Sequence, residues 1–240
     1  MLSDFIIGLD LGQSQDFTAV TILERFFEEK PARYHLRHAE RFKLGTSYPD
    51  QVAKVGKMLA SEQLRNGKAT LVVDGTGAGR PVVDMFRDAR LPAELIAVTI
   101  TGGDSVSEEG RDFRVPKRDL VSALQVLLQS GRLKVAGGMP EADTLVQELL
   151  NFKVEITMGG HDKYEAWREG IHDDLVLSAA MACWYGEWKP HLTIEFQAAD
   201  LGWADLTGYD LDHPRYFDLS DDDGSWGIST RRRDFTGYLL

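Results

Sequence analysis

The chain has 240 residues, 43% of them hydrophobic and 27% charged, with a formal net charge of −11 at pH 7 and a single cysteine, Cys183. There is room for one substantial core, no run of ~18 apolar residues to cross a membrane, and no secretory signal in MLSDFIIGLDLG, which lacks a basic start and carries Asp10 inside its apolar run. One cysteine excludes a disulfide framework and a thiolate zinc site, and the acidic balance excludes a protein whose whole surface grips nucleic acid.

Phe5 to Leu11 reads as a buried strand with one charge inside it, and Gly12 to Asp16 as a turn. Phe17 to Leu23 is a second strand, rich in β-branched residues, and the alternation of Tyr34 to Phe42 makes a third, so the chain opens as an antiparallel meander. Tyr48 to Arg65 carries apolar residues at helical spacing until Gly67 stops it. Ala69 to Asp74 is a short apolar strand that again ends on aspartate, before the glycine-rich turn Gly75 to Gly79. A helix over 81–90, a strand over 95–99 and a polar, mobile segment over 102–114 follow, then a helix over 116–130 with proline in its first turn. Residues 133–135 form a strand, 142–150 a helix and 152–157 a strand. A loop then delivers His172-Asp173-Asp174 to a last helix over 174–186.

This order predicts an α/β fold: a mixed five-stranded sheet with helices on both faces, plus accessory strands. The periodicity dissolves after Lys189. Residues 190–240 hold ten acidic and four basic residues, more than half of the net negative charge, and read as an acidic tail or appendage to a domain over 1–189.

Three acidic positions stand out. Asp10 occupies a place where a core valine would ordinarily sit, and a lone ionised carboxylate there is costly unless paired or bound to metal. Asp74 closes the fourth strand; if that strand lies parallel to the first, both aspartates reach one sheet edge, where ligands of open α/β sheets bind. Asp173 and Asp174 open a helix that is apolar around nearly its whole circumference and therefore buried. Its small residues Ser178, Ala179, Ala180 and Ala182 let its backbone approach the sheet closely. The simpler account of the aspartate pair is a helix cap. Hard oxygen ligands without clustered cysteine or histidine suit Mg²⁺ or Mn²⁺, and two such ions activate water and stabilise a leaving 3′ oxygen in phosphodiester hydrolysis. Arg111, Arg114, Lys117, Arg118 and Arg132 offer a local phosphate-contacting patch, or only a solvated face.

The segments GLDLGQSQDFTAV, LVVDGTGAGRPVVDMF, VPKRDLVSALQVLLQSGRLKV and EAWREGIHDDLVLSAAMACW together resemble, in order over about residues 5–187, the C-terminal nuclease domain of the tailed-phage terminase large subunit. That resemblance implies an RNase H-like fold of the retroviral-integrase-like superfamily and a Mg²⁺- or Mn²⁺-dependent endonuclease that cuts concatemeric viral DNA during packaging, in the cytoplasm of a bacterial host. It places the acidic triad on Asp10, Asp74 and one or both of Asp173 and Asp174, with Asp16 as a helper. It also implies double-stranded DNA as partner, beside a packaging ATPase, portal or small terminase subunit. The family's full-length protein carries an ATPase motor, whereas this chain opens on the first nuclease strand. Arg80-Pro81 stands where a phosphate loop needs Lys-Ser/Thr, so no ATP site is expected.

Three other readings stay open. One is another RNase H-like nuclease of the Holliday-junction resolvase type. Another is a non-catalytic RNase H-like binding module. The third is a phosphotransferase, because GLDLGQS also resembles the first phosphate loop of sugar kinases and actin-like ATPases.

Overall fold

The computed structural model describes residues 3–12, 16–27, 30–65, 68–76, 79–158 and 173–188. Eight strands form one mixed sheet: β1 (Ser3–Asp10), β2 (Ala19–Phe26), β3 (Arg33–Arg41), β4 (Ala69–Asp74), β5 (Glu94–Thr101), β6 (Ser107–Glu109), β7 (Asp112–Pro116) and β8 (Leu133–Val135), in the order β6-β7-β5-β4-β1-β2-β3-β8. Strands β1, β2 and β3 are the expected antiparallel meander, and β4 joins β1 in parallel. The inner strands β5-β4-β1-β2-β3 are the expected five, and β6, β7 and β8 are accessory.

Alternation along β1 sends Ile7 and Leu9 to one face and Ile6, Gly8 and Asp10 to the other. The first face packs on α1 (Tyr48–Leu59) and α3 (Gly79–Asp88) through Val52, Val55, Leu59, Val82 and Phe86. The second packs on α4 (Lys117–Gln129) and α6 (Asp174–Trp188) through Leu120, Leu124, Ala179, Met181 and Cys183. Ser47 starts α1, its hydroxyl accepting the Asp50 N–H, with Pro49 in the first turn.

Helix α6 is buried from Asp174 to Gly186, as its all-round apolar sequence requires. It lies against β1 and β2 at backbone distance: Ser178 Oγ donates to the Gly8 carbonyl (2.9 Å) and meets Thr21 Oγ1 (2.8 Å). At the other end Arg25 donates to the Gly186 carbonyl (2.9 Å) while its guanidinium grips Asp4. With that side chain only 11% exposed, Arg25→Met strands a carboxylate and a carbonyl. In urea unfolding it is expected to cost about 3 kcal/mol; a loss under about 0.5 kcal/mol would show the clamp to be ornamental.

Three expectations need correction. The strand over 152–157 is the continuation of helix α5 (Ala142–Met158). Its β-branched residues gave a strand pattern, but extending a formed helix is cheap, and no glycine or proline interrupts the run before Gly159. The segment 102–114 is ordered: β6 and β7 form a hairpin around Gly110 (φ +65°), and β7 pairs in parallel with β5, burying Phe113 and Val115. The helix over 48–65 breaks after Leu59 and restarts as α2 (Glu62–Arg65), where the Ser61 carbonyl accepts the Leu64 and Arg65 N–H groups. Among the described residues no helix is long and apolar enough to cross a membrane. Residues 190–240, and His172 with the loop before α6, lie outside the described residues.

Candidate metal centre

Sheet register assembles the acidic residues. Leu9 stands opposite Val73 on parallel strands, so Asp10 and Asp74 end neighbouring strands in the next row, both on the α6 face. The same row runs from Asp10 through Ala19 to Arg41 at the end of β3. Asp74 Oδ1 accepts the Thr76 N–H (2.7 Å), and Thr76 Oγ1 accepts that of Ile100 (2.7 Å), which ties the turn after β4 to β5. Asp173 and Asp174 come to this edge because α6 starts there, the Asp173 carbonyl accepting the Leu177 N–H (2.8 Å). Asp10, Asp74 and Asp174 are 8%, 8% and 7% exposed.

These carboxyls act on one another. Burial holds Asp10 well above the usual carboxylate range, and the charges of Asp74, Asp174 and Asp173 push it further. Contact between the Asp10 and Asp74 side chains also raises Asp10 and pulls Asp74 the other way. Burial raises Asp74 too, against the opposing pull of its Thr76 hydrogen bonds. Asp173 is raised by burial, with Lys117 Nζ (3.4 Å away) pulling it back and the nearby charge of Asp16 adding to the rise. Among the described residues no group of three or more His, Cys, Asp or Glu side chains is closed around one point as a metal cage.

Two residues absent from the sequence reading complete the cluster. Glu148 on α5 is 6% exposed; its Oε2 accepts the Val176 N–H (3.0 Å) in the first turn of α6, and its Oε1 meets Arg41 Nη2. Arg41 Nη2 also lies 3.5 Å from Asp174 Oδ2. One of the cap positions of α6 is thus filled by a side chain from another helix, and the Asp174 charge acts on Asp10. The only hint in the sequence was an acidic residue beside Leu145 and Leu149 on a helical face.

The predicted basic patch divides. Lys117 sits on Asp173, and Arg118, beside it at the carboxylate end of β7, holds Asp104 (2.7 Å). Arg114 is exposed within β7. Arg111, just before β7, pairs with Glu94 (3.5 Å), and Arg132, just before β8, forks onto Glu187. Both lie towards the opposite sheet edge, because β7 and β8 begin there.

The raised carboxyls fix a pH trend. Burial lifts Glu148 from 4.5 to about 7 despite the Val176 N–H and Arg41. The unfolded chain therefore releases these protons at lower pH than the folded chain does, and stability falls as pH rises through the window from the ordinary carboxylate values to the folded ones. Thermal denaturation in EDTA is expected to give a lower melting temperature at pH 8 than at pH 5.5. A melting temperature that climbs over that range would mean the cluster is not strained when ionised.

A family model described as the terminase RNase H-like domain matches residues 7–184. No curated protein matches the chain in sequence. Similar solved structures include the Mn-soaked terminase nuclease domain of human cytomegalovirus, at 12% identity, covering 75% of this chain and 82% of that one with a TM-score of 0.47. The nuclease domain of P22 large terminase is similar at 16% identity, 75% and 79% coverage and a TM-score of 0.44. The Holliday junction resolvase of fowlpox virus is similar at 14% identity, 77% and 99% coverage and a TM-score of 0.40.

Proposed function

Because the chain belongs to the terminase RNase H-like domain family, we propose that it is a metal-dependent endonuclease that hydrolyses DNA phosphodiester bonds, using two Mg²⁺ or Mn²⁺ ions held by Asp10, Asp74, Asp173 and Asp174. The observation that carries this reading is the meeting of buried aspartates from the end of β1, the end of β4 and the start of α6 at one sheet edge. Charge supports the stoichiometry. Five carboxylates, with Glu148 included, and the two cations Arg41 and Lys117 leave three negative charges, which two divalent ions and one phosphodiester bring to neutrality.

Bound there, the ions would ionise a water on one side of the phosphate and stabilise the departing 3′ oxygen on the other. The chain's own contribution is preparation. Asp10 ends its strand beside Asp74, Thr76 keeps the Asp74 carboxyl oriented through its N–H, and the buried start of α6 fixes the Asp173–Asp174 pair against the sheet. Lys117 and Arg118 stand on the same edge, suited to contacting phosphate rather than to reading bases. The substrate would be concatemeric viral DNA cut during packaging in an infected bacterium, with a packaging ATPase, portal or small terminase subunit as partners.

The test is nicking of supercoiled plasmid with Mn²⁺, Mg²⁺ or EDTA. Nicking is expected with either ion and absent in EDTA. No nicking with either ion, or nicking that survives EDTA, would refute the reading. With Lys117 and Arg118 as two phosphate contacts, raising salt from 50 to 200 mM is expected to weaken binding of a short duplex ~10-fold. Affinity independent of salt would remove the phosphate contacts from the account.

A further inference from the structure

We infer that Arg41 and Glu148 form a positioning pair that sets how tightly the carboxylate cluster takes divalent cations: Glu148 holds the guanidinium and so limits how firmly it occupies Asp174. This rests on the metal reading of the cluster.

The geometry is a competition for one nitrogen. Arg41 Nη2 donates to Glu148 Oε1 and lies at 3.5 Å, outside good hydrogen-bond distance, from Asp174 Oδ2. An arginine keeps its charge at any working pH, so it is a resident rival to a metal ion for that oxygen. The guanidinium also lies over an aromatic ring. Its carbon lies 5.0 Å from the centre of the Phe17 ring, and its buried Nε has no hydrogen-bond acceptor among the described residues. A group anchored so asymmetrically can pivot between two carboxylates. Glu148 fixes which of them it serves, and its other oxygen accepts the Val176 N–H (3.0 Å) of the helix that carries Asp174. One side chain therefore ties down both the competing cation and the element bearing the oxygen it competes for.

This arrangement predicts a sign reversal that a merely structural strut would not give. Glu148→Gln keeps an acceptor for Val176 but loses the charge that restrains Arg41, so the guanidinium moves onto Asp174 and Mn²⁺ affinity falls ~10–100-fold. Adding Arg41→Met to that variant removes the rival cation, and affinity returns at least to the wild-type level. Conservative Arg41→Lys, with a compact ammonium in place of the fork, is expected to fall between the two.

The experiment is Mn²⁺ titration of the full chain by isothermal calorimetry at pH 7.5, without DNA, for wild type, Glu148→Gln and the double variant, each checked for folding by circular dichroism. Loss in the single variant followed by recovery in the double supports the pair. Wild-type affinity in Glu148→Gln, or a deeper loss in the double variant, overturns it while leaving the metal reading intact. If the double variant does not fold, Arg41→Met alone decides: affinity at or above the wild-type level supports the pair, and a loss overturns it. An absence of Mn²⁺ binding in the wild type overturns the metal reading itself.

Discussion

Asp10→Asn is expected to make the metal-free protein more stable at pH 7.5 by about 1–2 kcal/mol, and to lower metal-supported cleavage of DNA by ~10³-fold or more. The two effects have one cause. Burial and three neighbouring carboxylates raise the Asp10 carboxyl well above its range in the unfolded chain, so folding at neutral pH works against a charge at this position. Asparagine has the same shape, carries no charge, and offers an amide N–H to Asp74. The strain goes, and with it the charge that would hold an ion. Mn²⁺ should accordingly raise the melting temperature of the wild type and leave that of the variant almost unmoved. A variant that is less stable in EDTA and cleaves DNA at the wild-type rate would show Asp10 to be an ordinary buried polar residue.

Gly8→Ala is expected to be severely destabilising, with a cost of at least about 4 kcal/mol. A Cβ at Gly8 would stand 1.9 Å from the Ser178 carbonyl oxygen and 2.8 Å from its carbon, both backbone atoms. Rotamer changes cannot relieve that clash, so α6 would have to leave the sheet. Retreat breaks the Ser178–Gly8 and Thr21–Ser178 hydrogen bonds, opens the most heavily buried helix and lifts Asp173 and Asp174 from the sheet edge. Domains of ordinary stability have only about 5–15 kcal/mol to lose. The comparison is Gly186→Ala, whose nearest obstacle is a side-chain atom, Tyr34 Cε1 at 2.7 Å, and whose cost should be smaller. Urea unfolding decides: a wild-type midpoint for Gly8→Ala would mean that the close approach of α6 is not what seats it.

The parts of this site that were legible in the sequence share one property: the anomaly is local. An aspartate inside an apolar strand, another ending an apolar strand, and a pair opening a helix with no polar face are each visible without knowing what packs where. The parallel pairing of β1 and β4 then follows from fold rules and joins them. Arg41 and Glu148 show no such anomaly. Arg41 ends a strand of alternating charge, and Glu148 looks like any helical acid until tertiary packing buries it against another element. The basic residues divide between the two edges for a related reason. Arg111 and Lys117 are near in sequence, yet β7 runs between them, and five residues of strand separate its ends by ~17 Å. The hairpin β6–β7 was hidden because its apolar residues, such as Phe113 and Val115, are scattered among charged, serine and glycine residues.

Counting bound Mn²⁺ by electron paramagnetic resonance is the most direct measurement, because free ion gives a sharp spectrum that vanishes on binding. At pH 7.5 the wild-type chain should remove two ions per molecule from solution, and Asp10→Asn/Asp74→Asn should remove none with comparable affinity. A wild type that leaves the free-ion signal undiminished, or a double variant that quenches it equally, would contradict the claim that these aspartates are assembled to hold metal.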